Sequence, residues 1–227
     1  MSEKIVLYYD VISPWSFFTF VRLQRYEKIW NLKIDLRPDL LGGVFQAADN
    51  KSPLVNAWKN GNMLQVMPLV SRMYQIPIKR NDKFPGLTIK CMRVLTAVKR
   101  HAPDQLAAVS DGFFRMIHCE NKDFQDDAQI FAKASSILGH EKAQRMMEAS
   151  TTLDIKNELS HVTKEAVQEG AFGNPWVVAT NSDGTTARFF GEDSFERLCY
   201  FLGKENLGPV PHQELQRRQS VGYAVRL

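Results

Sequence analysis

Tyr9-Asp10-Val11-Ile12-Ser13-Pro14-Trp15-Ser16 is the stretch on which the reading of this chain turns. On its N-terminal side Ile5, Leu7 and Tyr9 alternate with Val6 and Tyr8, and all five are apolar or aromatic. A strand opening at Lys4 and buried on both faces follows from that run. On its C-terminal side Ser13 stands directly before Pro14. A serine cap followed by proline at the first helical position, where no backbone N–H is needed, is a helix start. The helix carries Phe17, Phe18, Phe20, Val21, Leu23 and Ile29, too many apolar residues for a narrow stripe, so it is largely buried. Leu32, Ile34 and Leu36 then alternate with Lys33, Asp35 and Arg37 up to Pro38, a period-two strand with one wet face. The first 40 residues thus read as a βαβ unit with a right-handed crossover.

From about residue 53 to residue 170 the texture changes to helix after helix. Met63, Val66, Met67, Val70 and Met73 fall at helical spacing, as do Cys91, Leu95 and Val98, and then Leu106, Val109, Phe113 and Ile117. Ile130, Phe131, Ala134, Ile137 and Leu138 end at Gly139. Ile155, Leu159, Val162, Ala166 and Val167 form the longest helix of the block, ending at Gly170. Nearly all of these apolar residues are read as core. Strands return at 176–179 and 187–190, joined through the turn Asn181-Ser182-Asp183-Gly184. A last helix opens near Asp193 and closes at Gly203, and Gln216-Arg217-Arg218-Gln219-Ser220 reads as a mobile polar tail. The order βαβ, helical block, ββα describes one fold interrupted by another: residues 1–55 and 170–227 form the host, and 56–169 the insert.

Composition sets the outer limits. The chain has 227 residues, 44% hydrophobic and 24% charged, ordinary values for a globular protein. A net charge of +4, with the basic residues scattered, argues against a nucleic-acid surface. No apolar run approaches the roughly 20 residues that span a bilayer, so no membrane partner is expected. Cys91, Cys119 and Cys199 are odd in number, widely spaced and in no zinc pattern, which favours a reducing compartment and no structural metal.

Ser13 and Ser16 occupy the helix start where thioredoxin-like redox proteins hold a C-x-x-C pair. Two serines cannot form a disulfide, so thiol–disulfide exchange by protein cysteines is excluded there. A helix N-terminus still presents unpaired N–H groups and a positive dipole end, which can stabilise a thiolate belonging to a ligand. On the residues alone Ser13 reads first as a cap, with thiolate binding as the alternative. Gly170-Ala171-Phe172-Gly173-Asn174-Pro175 links the helical block to a strand, and Phe190-Gly191-Glu192-Asp193-Ser194 runs from a strand into the last helix.

The whole set resembles the kappa class of glutathione transferases, itself similar to DsbA and to 2-hydroxychromene-2-carboxylate isomerase. The 9–16 stretch matches the class pattern YDVxSPxS. Ile29-Trp30-Asn31, Leu36-Arg37-Pro38, Asn50-Lys51-Ser52-Pro53, Gln75-Ile76-Pro77-Ile78, Leu95-Thr96-Ala97-Val98, Gly170-Ala171-Phe172-Gly173 and Phe190-Gly191 continue it along the full length. The resemblance implies an α/β, thioredoxin-like fold with an inserted all-helical domain. It implies that Ser13 activates the glutathione thiol, with Pro14 and Trp15 beside it, and that Asn50 and Lys59 contact glutathione from the start of the insert. Asn174, ahead of a cis Pro175, pairs its backbone with the cysteinyl part, and Glu192 and Asp193 hold the γ-glutamyl end. The class usually has an apolar residue at the position of Asn174 and a serine at that of Glu192. Further implications are glutathione as co-substrate with no metal or prosthetic group, a small apolar electrophile, peroxidase activity towards lipid hydroperoxides, and a homodimer. The rival functions are a glutathione-dependent 2-hydroxychromene-2-carboxylate isomerase and a non-catalytic glutathione- or partner-binding module. Val225-Arg226-Leu227 resembles the small-basic-Leu peroxisomal address. The class is housed in peroxisomes and mitochondria, and this ending favours the peroxisome.

Overall fold

The computed structural model describes residues 3–220. The chain opens with β1 (Lys4–Tyr9), α1 (Pro14–Trp30), β2 (Ile34–Pro38) and the short α2 (Leu41–Ala47). A run of helices follows: α3 (Ala57–Tyr74), α4 (Ile89–His101), α5 (Leu106–His118), α6 (Asp127–Leu138), α7 (His140–Ser150) and α8 (Leu153–Gln168). The chain then returns to strands with β3 (Trp176–Thr180) and β4 (Thr186–Phe190), and ends in α9 (Phe195–Leu202) and α10 (Pro211–Ser220). The sheet order is β2-β1-β3-β4, with β1 parallel to β2 and the other pairs antiparallel. Leu7 at the centre of β1 stands opposite Leu36 on one side and Val177 on the other.

Because β1 is interior, both of its faces need cover, and its unbroken apolar run supplies both. Ile5, Leu7 and Tyr9 point to the larger core, where the Phe17 and Phe114 rings stack at 4.9 Å and the Tyr9 hydroxyl meets Ser110 Oγ at 2.6 Å. That contact ties the sheet to α5. Val6 and Tyr8 point the other way, against Val162 and Ala166 of α8 and Trp176 of β3. The βαβ opening, the helical run, the two closing strands and the 181–184 turn stand where the sequence predicts them.

Four expectations need correction. Residues 216–220 are not a loose tail but the end of α10, which Arg25 helps hold by donating to Pro209 O at 2.7 Å. The longest helix of the inserted run is α3, of 18 residues, against 16 for α8. Leu32 lies ahead of β2, which begins at Ile34. Finally, α3 is less buried than its apolar spacing implies: Met63 and Val70 are buried, but Met73 is exposed, together with Val55, Trp58, Leu64 and Leu69 around it. Spacing reports a helical face; it does not say whether that face is covered by the same chain. The Val225-Arg226-Leu227 ending lies outside the described residues. Among the described residues no helix is long and apolar enough to cross a membrane.

Candidate active site

The carboxyl ends of β1 and β2, α2, one face of α3, residues 84–89 and the loops at 172–175 and 190–193 enclose a cavity of about 960 Å³. Ser13, Pro14, Trp15, Asn50, Lys59, Asn174, Pro175, Glu192 and Asp193 all line it, so residues spread over 180 positions of sequence come to one place. Most of the remaining wall is apolar, including Phe45, Leu54, Met63, Val66 and Val70. No cysteine of the chain lines it. Cys91 and Cys199 are buried, and burial pushes the Cys199 thiol up to about 12.

Ser13 is buried at the N-terminus of α1. Its Oγ accepts from Ser16 N at 3.1 Å, the capping bond, and donates to Asn174 O at 3.2 Å. The hydroxyl's single proton therefore rests on the carbonyl that precedes Pro175. The Asn174–Pro175 bond is cis, as the resemblance implies; a second cis bond, Phe84–Pro85, was not anticipated.

Two buried aspartates, neither assigned a role from sequence, support this arrangement. Asp10 is fully satisfied: it accepts from Ile12 N at 3.0 Å, Thr88 Oγ1 at 2.7 Å and Leu41 N at 3.0 Å. Burial raises its pKa, and those three donors oppose the rise. Asp39, at the end of β2, has no exposure and accepts from Asn174 Nδ2 at 2.5 Å. Burial, and then the nearby Asp10 charge, hold its carboxyl well above the ordinary carboxylate range. Asp39 Oδ2 and Asn174 Oδ1 are both buried without a donor. A neutral acid is the form that such a buried site stabilises. Nothing in the sequence separates this residue from a turn aspartate after a proline.

Glu192 and Asp193 stand side by side but in different settings. The Glu192 carboxylate accepts from the Tyr74 hydroxyl and lies 3.8 Å from Arg22 Nη1. Arg22 is itself buried, donating to Asn206 Oδ1 at 2.8 Å, with its guanidinium 3.8 Å above the Phe195 ring. Asp193 makes no side-chain hydrogen bond or ion pair among the described residues. Gly191 bends the chain into these two acids with φ +84°, and a Cβ there would come within 2.7 Å of Asp193 Oδ1. The sequence signal for Arg22 was present: it is a lone cation in the Phe17–Leu23 apolar run.

Asn50 donates to Phe172 O at 2.6 Å, joining the loop after α2 to the loop before Pro175. Lys59 is exposed in the first turn of α3, whose cap Asn56 accepts from Trp58 N and Lys59 N at 3.1 Å. Trp15 is half-buried, its ring 6.1 Å from that of Phe18.

Comparison with known proteins bears on the family and the fold. The model of the DSBA-like thioredoxin domain matches residues 4–203. Glutathione S-transferase kappa 1 of Rattus norvegicus is 35% identical over 211 residues, covering 90% of this chain and 93% of the relative. The Homo sapiens protein of the same name is 35% identical over 217 residues, covering 93% and 96%. Among solved structures, a 2-hydroxychromene-2-carboxylate isomerase superposes with a TM-score of 0.75 at 18% identity, over 97% of this chain and 99% of that one. The disulfide reductase DsbM of Pseudomonas aeruginosa, solved with GSH, superposes with a TM-score of 0.61 at 9% identity over 96% and 98%. A thioredoxin-like scaffold with serine at the helix start, and two relatives at 35% identity over nine-tenths of the sequence, place this chain in the kappa class of glutathione transferases.

Proposed function

We propose that this protein activates the thiol of glutathione at Ser13 and transfers the sulfur to small, largely apolar electrophiles. The observation that carries the proposal is a serine hydroxyl, at the N-terminus of a 17-residue helix, with one proton to place and an open cavity beside it. That proton sits on Asn174 O. When the cysteinyl N–H of glutathione pairs with this carbonyl, it takes over the acceptor, and the Ser13 proton is released to the sulfur. The oxygen itself stays in place because Ser16 N still donates to it.

A free thiol with a pKa of ~8.5 is only a few per cent ionised at pH 7, and each unit of lowering is worth about 1.4 kcal/mol. A hydroxyl donor and the helix terminus together are enough to lower it by one to two units. The thiol proton leaves to solvent, and the thiolate attacks the electrophile. A carbon–sulfur bond forms while the leaving group, or the π electrons of an activated alkene, takes the displaced pair. In this reading Asn50 and Lys59 contact glutathione from the start of the insert. Asp193, with no side-chain partner among the described residues, is in this reading the acid that takes the γ-glutamyl ammonium, and Glu192 holds the wall through Arg22 and Tyr74. The apolar side of the cavity, on α3, accommodates the electrophile. Reaction of the same thiolate at the O–O bond of an organic hydroperoxide, completed by a second glutathione, extends the proposal to peroxidase activity.

We further propose a homodimer. Trp58 is 89% exposed, and Leu69 and Met73, which fall on the same side of α3 by helical spacing, are exposed as well. Peroxisomal delivery through Val225-Arg226-Leu227 is the companion proposal for localisation. An N-terminal fluorescent fusion reaches peroxisomes and a C-terminal fusion does not; mitochondrial location of both refutes it.

The activity is tested by following conjugation of glutathione to a chromogenic aryl halide, beside isomerisation of 2-hydroxychromene-2-carboxylate. Conjugation that saturates in glutathione supports the proposal. Isomerisation without conjugation assigns the rival enzyme, and glutathione binding with neither reaction assigns a binding module.

A further inference from the structure

Behind α2 lies a second cavity, of about 580 Å³, that the transferase chemistry does not use. The short helix is the partition: Leu41 and Phe45 face the site described above, while Gly43, Gln46 and Ala47 face this one. Close packing holds the partition against α8, where a Cβ on Gly43 would come within 2.9 Å of Thr163 Cγ2. The back of the cavity is apolar, from Leu40, Ile89 and Leu159.

Its charge is one-sided. Arg93 of α4 and Lys156 and Lys164 of α8 line it, and no carboxylate among the described residues does. The acids of the same region are engaged elsewhere: Glu158 with Arg100 at 3.4 Å, Glu165 with Arg37 at 2.9 Å, and Glu169 with Arg188 at 2.7 Å. Asp154, in the first turn of α8, does not line the cavity. Arg93, Lys156 and Lys164 form no side-chain hydrogen bond or ion pair among the described residues. Arg93 is half-buried, and its Nε is shut off from solvent with no acceptor. With Nε out of reach of the cavity, Arg93 meets a ligand there only through the rest of its guanidinium. Three uncompensated cations around one concave wall also focus a positive potential there.

We propose that this cavity binds a small organic anion. Its phosphate or carboxylate head sits on Arg93, with Lys156 and Lys164 at the rim, and its apolar body lies against Leu40, Ile89 and Leu159. Arg93 offers the planar fork of N–H donors that suits either head group. The two lysines are exposed and contribute mainly long-range attraction, which salt screens.

Calorimetric titration of the full chain with phenyl phosphate and with octanoate tests this. Saturable one-to-one binding of at least one probe is expected. Arg93→Gln weakens it by about tenfold or more, the usual loss for a hydrogen bond to a charged group. Lys156→Gln with Lys164→Gln weakens it and flattens its salt dependence; both positions are exposed, so this variant decides the matter if Arg93→Gln does not fold. Lys59→Gln, in the neighbouring cavity, leaves the affinity for these probes unchanged. Tighter binding of phenyl phosphate identifies a phosphate head, and tighter binding of octanoate a carboxylate. The proposal is overturned if neither probe binds saturably, if affinity survives both sets of substitutions, or if it is lost only in Lys59→Gln.

Discussion

Ser13→Ala separates the two roles a serine can have at this position. The substitution removes two bonds, the cap to Ser16 N at 3.1 Å and the bond to Asn174 O at 3.2 Å. Loss of a helix cap costs about 1 kcal/mol, a tolerable share of the 5–15 kcal/mol that stabilises a typical domain. The effect on the ligand is different in kind. A hydrogen bond to a charged group is worth about 1.5–3 kcal/mol, which at about 1.4 kcal/mol per unit raises the bound thiol pKa by roughly one to two units. The helix terminus remains and retains about 0.3–1 kcal/mol of the original stabilisation. Turnover at pH 7 should therefore fall about tenfold or more, while KM for glutathione changes little because the Asn174 backbone is intact. The sign of the pH dependence follows. With a higher thiol pKa the thiolate forms later, so the rise of kcat/KM with pH moves to the alkaline side by the same one to two units, and the defect shrinks above it. Ultraviolet difference titration of the bound thiolate, wild type against variant, reads the shift directly. A bound-thiol pKa equal in the two proteins refutes the thiolate role and leaves Ser13 as a cap. Ser13→Cys locates the sulfur independently: incubation with oxidised glutathione should yield a mixed disulfide by mass spectrometry, and its absence would show that the bound sulfur lies elsewhere.

Asp39→Asn should stabilise the fold at neutral and alkaline pH. A buried acid with a raised pKa binds more protons folded than unfolded, so its contribution is complete below the ordinary carboxylate range and lost as pH rises towards its folded value. Denaturant midpoints at pH 5 and pH 8 should diverge between the two proteins, and parallel values would show that Asp39 is ionised. His118 should act in the opposite direction. It is buried, shares a 2.9 Å hydrogen bond with Val11 O, and is pushed down to about 4 by burial. Stability is therefore lost as pH falls from about 6.5 to 4, by up to roughly 3 kcal/mol, and His118→Gln should flatten that acid limb in urea melts. Finally, Asp193→Asn should raise KM for glutathione about tenfold with little change in kcat, the signature of lost ground-state binding. Glu192→Gln should instead lower the melting temperature with a smaller change in KM, since Glu192 faces Arg22 and Tyr74; the reverse pattern would exchange the two roles.

What the sequence made legible was whatever local chemistry dictates. The Ser13-Pro14 pair announces a helix, and the unbroken run from Ile5 to Tyr9 announces an interior strand, because cap geometry and two-sided burial act within a few residues. The nine site positions came from resemblance, and the fold brings them to one cavity. Less legible were the residues whose meaning lies in distant partners. Asp39 looks like a turn residue until Asn174, 135 positions away, is seen beside it. Glu192 reads as an acid at a helix start until Arg22 and Tyr74 are found facing it. The apolar spacing of α3 was clear, but the same spacing serves a core, a substrate wall and an exposed face; Met63 lines the cavity and Met73 meets solvent. The short α2 carries few periodic positions and gave no signal of its own, although it separates two cavities.

The three bonds accepted by Asp10 have a consequence for how such chains diverge. One carboxylate fastens Ile12 in the loop before α1, Leu41 at the head of α2, and Thr88 at the head of α4. Two of these anchors belong to the first part of the chain, and the third belongs to the helical run. A chimera that grafts residues 56–169 of one relative onto the remainder of another would keep its catalytic serine. Without a donor at position 88, however, it would leave a buried negative charge short of one partner, at a cost of about 1–3 kcal/mol, at the point where the walls of the cavity meet. Substrate preference, which depends on how those walls stand apart, is then inherited with the junction and not with either segment alone.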